Sequence, residues 1–389
     1  MLATALGWEL YERTHSALAL GMIGLVQVIP VVGLALRAGS AADRGSRRKL
    51  GGAWNALNAV VALALAALSW SHGPVWAFYA LLFVNGIATA FASPATSSIL
   101  PALVPALELP RVNAWSSTVF QLAGTAGPAF AGFLIGATHG AWTVYFAQGF
   151  ASAIFAAIVW GLPVSDAPAV TTKEAPADRW AGVSFVFRVQ VLLGAITLDL
   201  FAVLLGGVTA LLPIYAKDLL EVGPEGLGWL QAAPAIGAFA MAFAQTRLGA
   251  WHRAGHVLLF SVGGFGVATI GFAFSRSFWL SLFLLFLTGV FDSMSVVIRR
   301  TLEQVVTPDR LRGRVSAIHW VFIGLSNELG ELESGVAAWL VGPVGAAALG
   351  GCGTVAVVLL AAWKWPELRT LRRLGDLRSR EDVAQSIGA

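Results

Sequence analysis

Acidic side chains stand inside long apolar runs of this sequence: Asp199, Asp292, Glu328, Glu331 and Glu333. Taking a carboxyl out of water disfavours its charged form. Such a group must be paired, hydrogen-bonded or protonated, and an ionisable residue within a membrane span is by default a functional hypothesis. The chemistry on offer is proton or cation handling. At about 100° per residue, Glu328 and Glu331 share one face of a helix, whereas Glu333 points away from Glu331. All of these acids cannot face lipid, so one face lines a cavity or a neighbouring bundle. Asp199 with Glu328 or Glu331 is the expected proton or cation site, and Asp292 is a further candidate. The competing reading is a carboxyl satisfied locally by Ser, Asn or backbone donors.

Weaker polar candidates sit in other apolar runs: Glu9, Asn85 and Gln121, with Gln27 and Gln148 beside them. Glu9 belongs to Gly7-Trp8-Glu9-Leu10-Tyr11-Glu12-Arg13 and is placed to face a cavity. Glu12 and Arg13 are expected at the outer interface. Trp8 and Tyr11 suit interface anchors and ligand contacts equally. His72 and His139 fall at the outer ends of helices and suggest no metal site. The sequence holds no phosphate-binding Gly-Lys loop, catalytic triad or zinc spacing. ATP-driven transport and membrane-enzyme chemistry are therefore not expected, nor is a catalytic residue, cofactor or metal. Cys352 is the only cysteine, which rules out an internal disulfide. Its apolar run reads as a place for a small core residue.

The elements that hold these groups are membrane helices. The chain of 389 residues is 57% hydrophobic and only 12% charged, against about a quarter charged in soluble domains. Apolar runs of helix length lie at 2–12, 16–36, 51–70, 74–98, 113–136 and 141–162, then at 190–215, 226–247, 256–274, 277–298, 313–337 and 341–363. A span needs roughly 20 residues to cross a core of about 30 Å. The run from Leu2 to Glu12 would cover only about 16 Å. Helix 1 is therefore either a half-span or truncated by roughly 10–20 residues before Met1, and the second is the expectation, since a free amine near the bilayer middle is costly. The expected fold class is an all-α membrane protein of twelve transmembrane helices in two pseudo-symmetric six-helix bundles. No cleavable signal precedes the first run.

Residues 163–189 are rich in Pro, Ala and charge and read as a linker. The expected organisation is a first bundle over 1–162, this linker, a second bundle over 190–365, and a basic tail over 366–389 that meets anionic lipid. Alternate loops place all but three of the 25 Lys and Arg residues on one side; Arg13, Lys217 and Arg276 are on the other. Arg299 and Arg300 are counted among the loop charges of the first side. The positive-inside rule makes that side cytoplasmic, with both termini. The formal charge of +4 is thus a topology signal rather than a nucleic-acid footprint. Each half carries a basic loop between its second and third helices, a faint parallel repeat of a known transporter kind.

The first of those loops, Gly39-Ser40-Ala41-Ala42-Asp43-Arg44-Gly45-Ser46-Arg47-Arg48-Lys49, supplies the decisive pattern. With twelve helices and a central linker around it, the chain resembles the major facilitator superfamily. The family signature is Gly, three residues, Asp-Arg, two residues, then two basic residues. Gly39, Asp43, Arg44, Arg47 and Arg48 fill those places, while Ser46 stands where a second Gly is usual. The resemblance implies a conformational latch on the cytoplasmic side rather than a substrate site. A second match is Gly124-Thr125-Ala126-Gly127-Pro128-Ala129-Phe130-Ala131-Gly132, which looks like the family's antiporter motif. Gly127, Pro128 and Gly132 carry it, with Ala131 in place of one closing glycine; the alternative is ordinary small-residue packing. Many proton-coupled members have Arg four residues before the Gly at the place of Gly86, and here that residue is Leu82.

Stretches around Asp199, Thr307–Val315 and Ser326–Gly335 are similar to the bacterial branch that includes the enterobactin exporter. The resemblance implies a secondary active transporter that exports a siderophore-like molecule, drug or metabolite by alternating access, driven by protons. A monomer in the bacterial cytoplasmic (inner) membrane is expected, with a small-molecule substrate, protons and the lipid bilayer as partners. The competing readings are a uniporter or importer of a small solute, suggested by Leu82, and a non-transporting truncated relative, suggested by the short first run.

Overall fold

The computed structural model describes residues 1–44, 46–97, 99, 103–105, 108–162, 181–248, 251, 253–308 and 311–371. Most of the linker and the end of the tail lie outside this set, as do Asp309 and Arg310. The described residues are helical almost throughout: α1 (Leu2–Thr14), α2 (Ala17–Arg44), α3 (Arg47–Trp70), α4 (Val75–Ser97), α5 (Leu109–Thr138) and α6 (Trp142–Gly161). There follow α7 (Ala181–Arg188), α8 (Gln190–Gly206), α9 (Gly223–Leu248), α10 (Ala254–Phe274), α11 (Phe278–Val306), α12 (Arg312–Lys364) and α13 (Pro366–Thr370).

Ten stretches among the described residues are long and apolar enough to cross a bilayer. Two features bring this to twelve membrane helices. α1, at 13 residues, is about 20 Å long and too short to be counted. α12 has a non-helical residue at Gly342 (φ 79°), followed by Pro343, so its 53 residues are two helices meeting at a kink. Glycine takes that positive φ without steric cost, and Pro343 gives up a backbone donor there.

Helix ends follow local chemistry. Ser46 caps α3: its Oγ accepts from the Lys49 N–H at 3.3 Å. The residue that departs from the family's glycine therefore starts the next helix. α3 closes at His72 (φ 51°), where the Gly73 N–H reaches the Leu68 carbonyl at 2.9 Å and the His72 N–H reaches Ser69 at 3.2 Å. This is a Schellman cap. His15 (φ 48°) and His139 (φ 54°) end α1 and α5 in the same left-handed conformation. These outer-end histidines thus terminate helices.

Several helices outrun the hydropathy that announces them. α11 continues to Val306, eight residues beyond the apolar run, and so takes Arg299, Arg300 and Glu303 out of the loop and into a helix. Arg299 is buried, not a loop charge. Cys352 also departs from expectation: it is exposed on α12 rather than part of a core.

The chain forms two compact units. The first comprises Met1–Glu174 with Leu212–Ala232, the second Ala175–Leu211 with Ala233–Ala389. In the first, α3 packs on α6 and α4, and α4 on α2. Gly86 permits the last approach: a Cβ there would stand 2.6 Å from Pro30 Cγ and 2.8 Å from the Gln27 carbonyl oxygen. In the second, α12 packs on α8 and α10, and α10 on α11. Its core includes Leu198, Leu258, Ile298, Leu302 and Leu368, all nearly inaccessible.

Candidate functional site

Charged groups gather in the second unit where α8, α11 and α12 meet. Asp199, on α8, forms an ion pair with Arg299 of α11 through Oδ1 and Nη1. Arg299 Nη2 lies 3.9 Å from Asp292, two turns earlier on α11. His319, on α12, places Nδ1 2.5 Å from Glu303 Oε2 and Nε2 4.0 Å from Asp199 Oδ2. Asp199, Arg299, Glu303 and His319 are all less than 8% exposed. The Asp292 side chain, at 49%, stands at the open edge of the group. Residues 292, 295, 299 and 303 fall three or four apart, so one face of α11 presents Asp292, Ser295, Arg299 and Glu303 together.

α8 is interrupted further along. α8 ends at Gly206, and the chain continues through Gly207, a 3₁₀ turn at Val208–Leu211, a helical turn at Leu212–Ile214 and a π-helical turn at Tyr215–Leu219. A break in a span frees backbone groups that lipid cannot satisfy. Here Ser334 of α12 donates to the Gly207 carbonyl at 2.9 Å. Gly330 lets α12 approach closely: a Cβ there would meet the Val203 and Leu204 carbonyl oxygens at 3.1 Å. The buried residues His319, Ser326, Gly330 and Ser334 recur at helical spacing and form the face of α12 turned to α8. Glu328, Glu331 and Glu333 lie on the same stretch and are half-buried. Among the described residues, no ion pair joins Glu328 or Glu331 to Asp199. The partners of Asp199 are Arg299 and His319.

In the first unit, Glu9 is 5% exposed and accepts from Arg13 at 2.6 Å. Arg13 also donates to the Gly73 carbonyl at 2.7 Å and lies over the Phe78 ring, so it is packed against the α3–α4 turn rather than at a free interface. Tyr11 donates to Asp218 of the π-helical turn. Lys217, next to it, sits 3.7 Å from Glu12 and over the Trp8 ring. Trp8 and Tyr11 are therefore buried contacts of α1, not lipid anchors. A cleft of 310 Å³ opens beside them, lined by Trp8, Glu12, Gly136, His139 and Glu225 among others. Asn85 donates to Asn58 at 3.1 Å, a local polar pair.

The antiporter-like stretch of α5 makes a tight crossing in this unit. A Cβ on Gly132 would stand 2.4 Å from the Pro224 carbonyl oxygen and 2.9 Å from Gly228 Cα. One on Gly228 would stand 2.8 Å from the Pro128 carbonyl oxygen. Only glycine allows the α5 and α9 backbones to touch in this way. Gly127 faces Met1 instead. In the latch-like loop, α2 ends at Arg44 and α3 begins at Arg47, and Arg48 is half-buried. The side chains of Asp43, Arg44, Arg47 and Gln121, and the surroundings of Gly39, lie outside the described set.

Arg299, Glu303 and His319 were not singled out as site residues in the sequence. Two signals pointed to them: the polar stripe at residues 292, 295, 299 and 303, and a histidine inside the apolar run 313–337.

The Major Facilitator Superfamily profile matches residues 1–330. The chain belongs to the Major Facilitator Superfamily. Members of this superfamily are transporters and not enzymes, and the chain is an integral multi-pass membrane protein. It is 27% identical over 342 residues to the Multidrug efflux pump Tap of Mycolicibacterium fortuitum, covering 85% of this chain and 83% of that protein. It is 23% identical over 362 residues to the Staphyloferrin A transporter of Staphylococcus aureus, covering 91% and 89%. Among solved superfamily structures, the inward open xylose transporter XylE from E. coli matches with a TM-score of 0.69 at 13% identity, over 97% of this chain and 95% of that one. A bacterial homologue of the iron transporter ferroportin in the inward-facing state matches with 0.61 at 17%, over 95% and 96%. At such identities these structures speak for the twelve-helix superfamily fold alone.

Proposed function

We propose that this protein is a secondary active exporter of a small organic molecule, a drug, siderophore-like compound or metabolite, driven by the proton gradient across the bacterial cytoplasmic membrane. The observation that carries this reading is the kinship, over most of the chain, with an efflux pump and a siderophore transporter. Transport proceeds by alternating access of two six-helix halves, over 1–162 and 190–365, joined by a cytoplasmic linker and with both termini cytoplasmic. The monomer is the working unit. Gly39, Asp43, Arg44, Arg47 and Arg48 act as the cytoplasmic latch. Gly127, Pro128 and Gly132 form the antiporter element, and the Gly132–Gly228 contact supports it.

Coupling belongs to the second unit. Leu82 is fully buried where proton-coupled members often carry Arg. Arg299, held by Asp199 and Asp292, supplies a buried cation elsewhere. Glu328 and Glu331 lie beyond it along α12, beside the break in α8, where a substrate site is placed. The test is uptake into inside-out vesicles, from cells with and without the protein, of a panel containing lipophilic cationic dyes and polycarboxylate siderophores. Accumulation of at least one compound by the vesicles containing the protein is expected, with Asp43→Asn lowering its rate tenfold or more. Net loss of every transported compound from those vesicles would establish import and overturn the export reading. An unchanged rate in Asp43→Asn would remove the latch role.

A further inference from the structure

We propose that the cleft beside α1 is a binding site for an organic ammonium ion, recognised by Trp8, Glu12 and Glu225. The inference goes beyond the transport reading above and concerns binding alone. The cleft has a volume of 310 Å³, at the lower end of small-molecule sites. Its walls come from α1, the end of α5, the turn into α6 and the entry to α9. The lining residues include two carboxylates, Glu12 and Glu225, and no lysine or arginine.

The deep part of the cleft is aromatic. Trp8 is only 8% exposed, whereas the Glu12 side chain is 56% exposed and Glu225 is also exposed, so the acids stand on the solvent side. A buried indole N–H normally finds an acceptor. That of Trp8 has none among the described residues, although Trp8 lines the cleft. The site thus presents an aromatic ring, a free donor and two carboxylates.

The chain's own ammonium already shows how a cation sits there. Lys217 Nζ lies 5.8 Å from the centroid of the Trp8 ring and 3.7 Å from Glu12 Oε1. A cation within about 6 Å of an indole face is attracted by the ring's quadrupole. Lys217 is not a lining residue; it reaches Trp8 and Glu12 from the π-helical turn. Glu225 makes no ion pair among the described residues. Its side chain lies across Gly136, where a Cβ would stand 2.7 Å from Oε1. Of the other bases nearby, His139 lines the cleft. Arg13 does not, and donates instead to Glu9 and to the Gly73 and Ser69 carbonyls. The last turn of α5 adds the negative end of its helix dipole, and Glu225 sits on the first turn of α9, opposite in sign to that helix end.

The ligand that matches these groups is an alkylammonium ion with an oxygen acceptor near its charged head. It takes the place of Lys217 at Trp8 and Glu12 and gains Glu225. Lys217 then gives up its contacts with α1, while Tyr11 keeps its bond to Asp218 of the same turn.

The test uses the full chain labelled with 5-fluorotryptophan in maltoside micelles. The ¹⁹F signal of Trp8, assigned by its loss in Trp8→Phe, is followed at constant ionic strength against choline and against its neutral isostere 3,3-dimethylbutanol. Choline is expected to shift the signal saturably, and the isostere is not. Glu225→Gln should raise the half-saturating choline concentration about threefold or more, and Lys217→Ala, which removes the competing cation, should lower it by a similar factor. Unchanged signals from the other tryptophans show that each variant keeps its fold. No saturable shift, an equal response to the neutral isostere, or a half-saturating concentration that neither variant moves would overturn the proposal. A choline response in a protein that imports its substrates would remove the export reading and leave this site standing.

Discussion

Arg299 is held between Asp199 and Asp292, and its removal strands a buried carboxylate. Breaking a buried pair from one side costs about 3–5 kcal/mol, whereas removing both charges together is often nearly neutral. Arg299→Met is therefore expected to lower the melting temperature of the purified protein sharply, and Asp199→Asn combined with Arg299→Met to recover most of the loss. Equal melting temperatures for the single and double variants would show that the pair is not the source of the cost. Two acids of this cluster were legible in the sequence because Asp199 and Asp292 interrupt apolar runs. Their partners were not. Arg299 stands at the edge of hydropathy, where a cation reads as a topology signal, and His319 is a lone histidine of no evident motif. Nothing in one strand of sequence says that α8, α11 and α12 converge there. Glu328 and Glu331, expected with Asp199 to handle a proton or cation, make no ion pair with it among the described residues, where Arg299 and His319 adjoin it.

Helix contacts carry their own expectations. α5 and α9 touch backbone to backbone at Gly132 and Gly228. A branched side chain at Gly228 would meet the Pro128 carbonyl oxygen, which cannot yield as a flexible side chain does. Gly228→Val is expected to cut the initial transport rate at least tenfold at unchanged membrane level, measured against the wild-type protein in the same vesicles. At the break in α8, Ser334→Ala would leave the Gly207 carbonyl without its donor. That loss is expected to cost about 1–2 kcal/mol and to quicken amide exchange at Val208 through Leu211. Helix existence was readable from apolar length, and the kink at Gly342 separates two helices where the two apolar runs also part. Helix ends were less readable. Hydropathy stops where charges begin, but α11 and the start of α3 continue, because capping and ion pairing satisfy what lipid would not. The interruption after Gly206 carried signals of its own in Gly206-Gly207 and Pro213, which the apolar length of the run 190–215 masked.

Taken as one molecule, the chain combines a superfamily fold, a tight glycine crossing in one unit and a buried ion cluster in the other. The proposed proton-driven alternating access would draw on both, as packed helices with two arrangements and a charge state that selects between them. The most direct measurement uses the purified protein in liposomes, loaded with a compound it is known to transport, with a pH gradient imposed and the membrane potential clamped. Transport against the compound's own gradient is expected when protons run down theirs. Reversing the pH gradient should reverse the net flux. Flux that follows only the compound's own gradient, whatever the pH difference, would contradict proton-driven export.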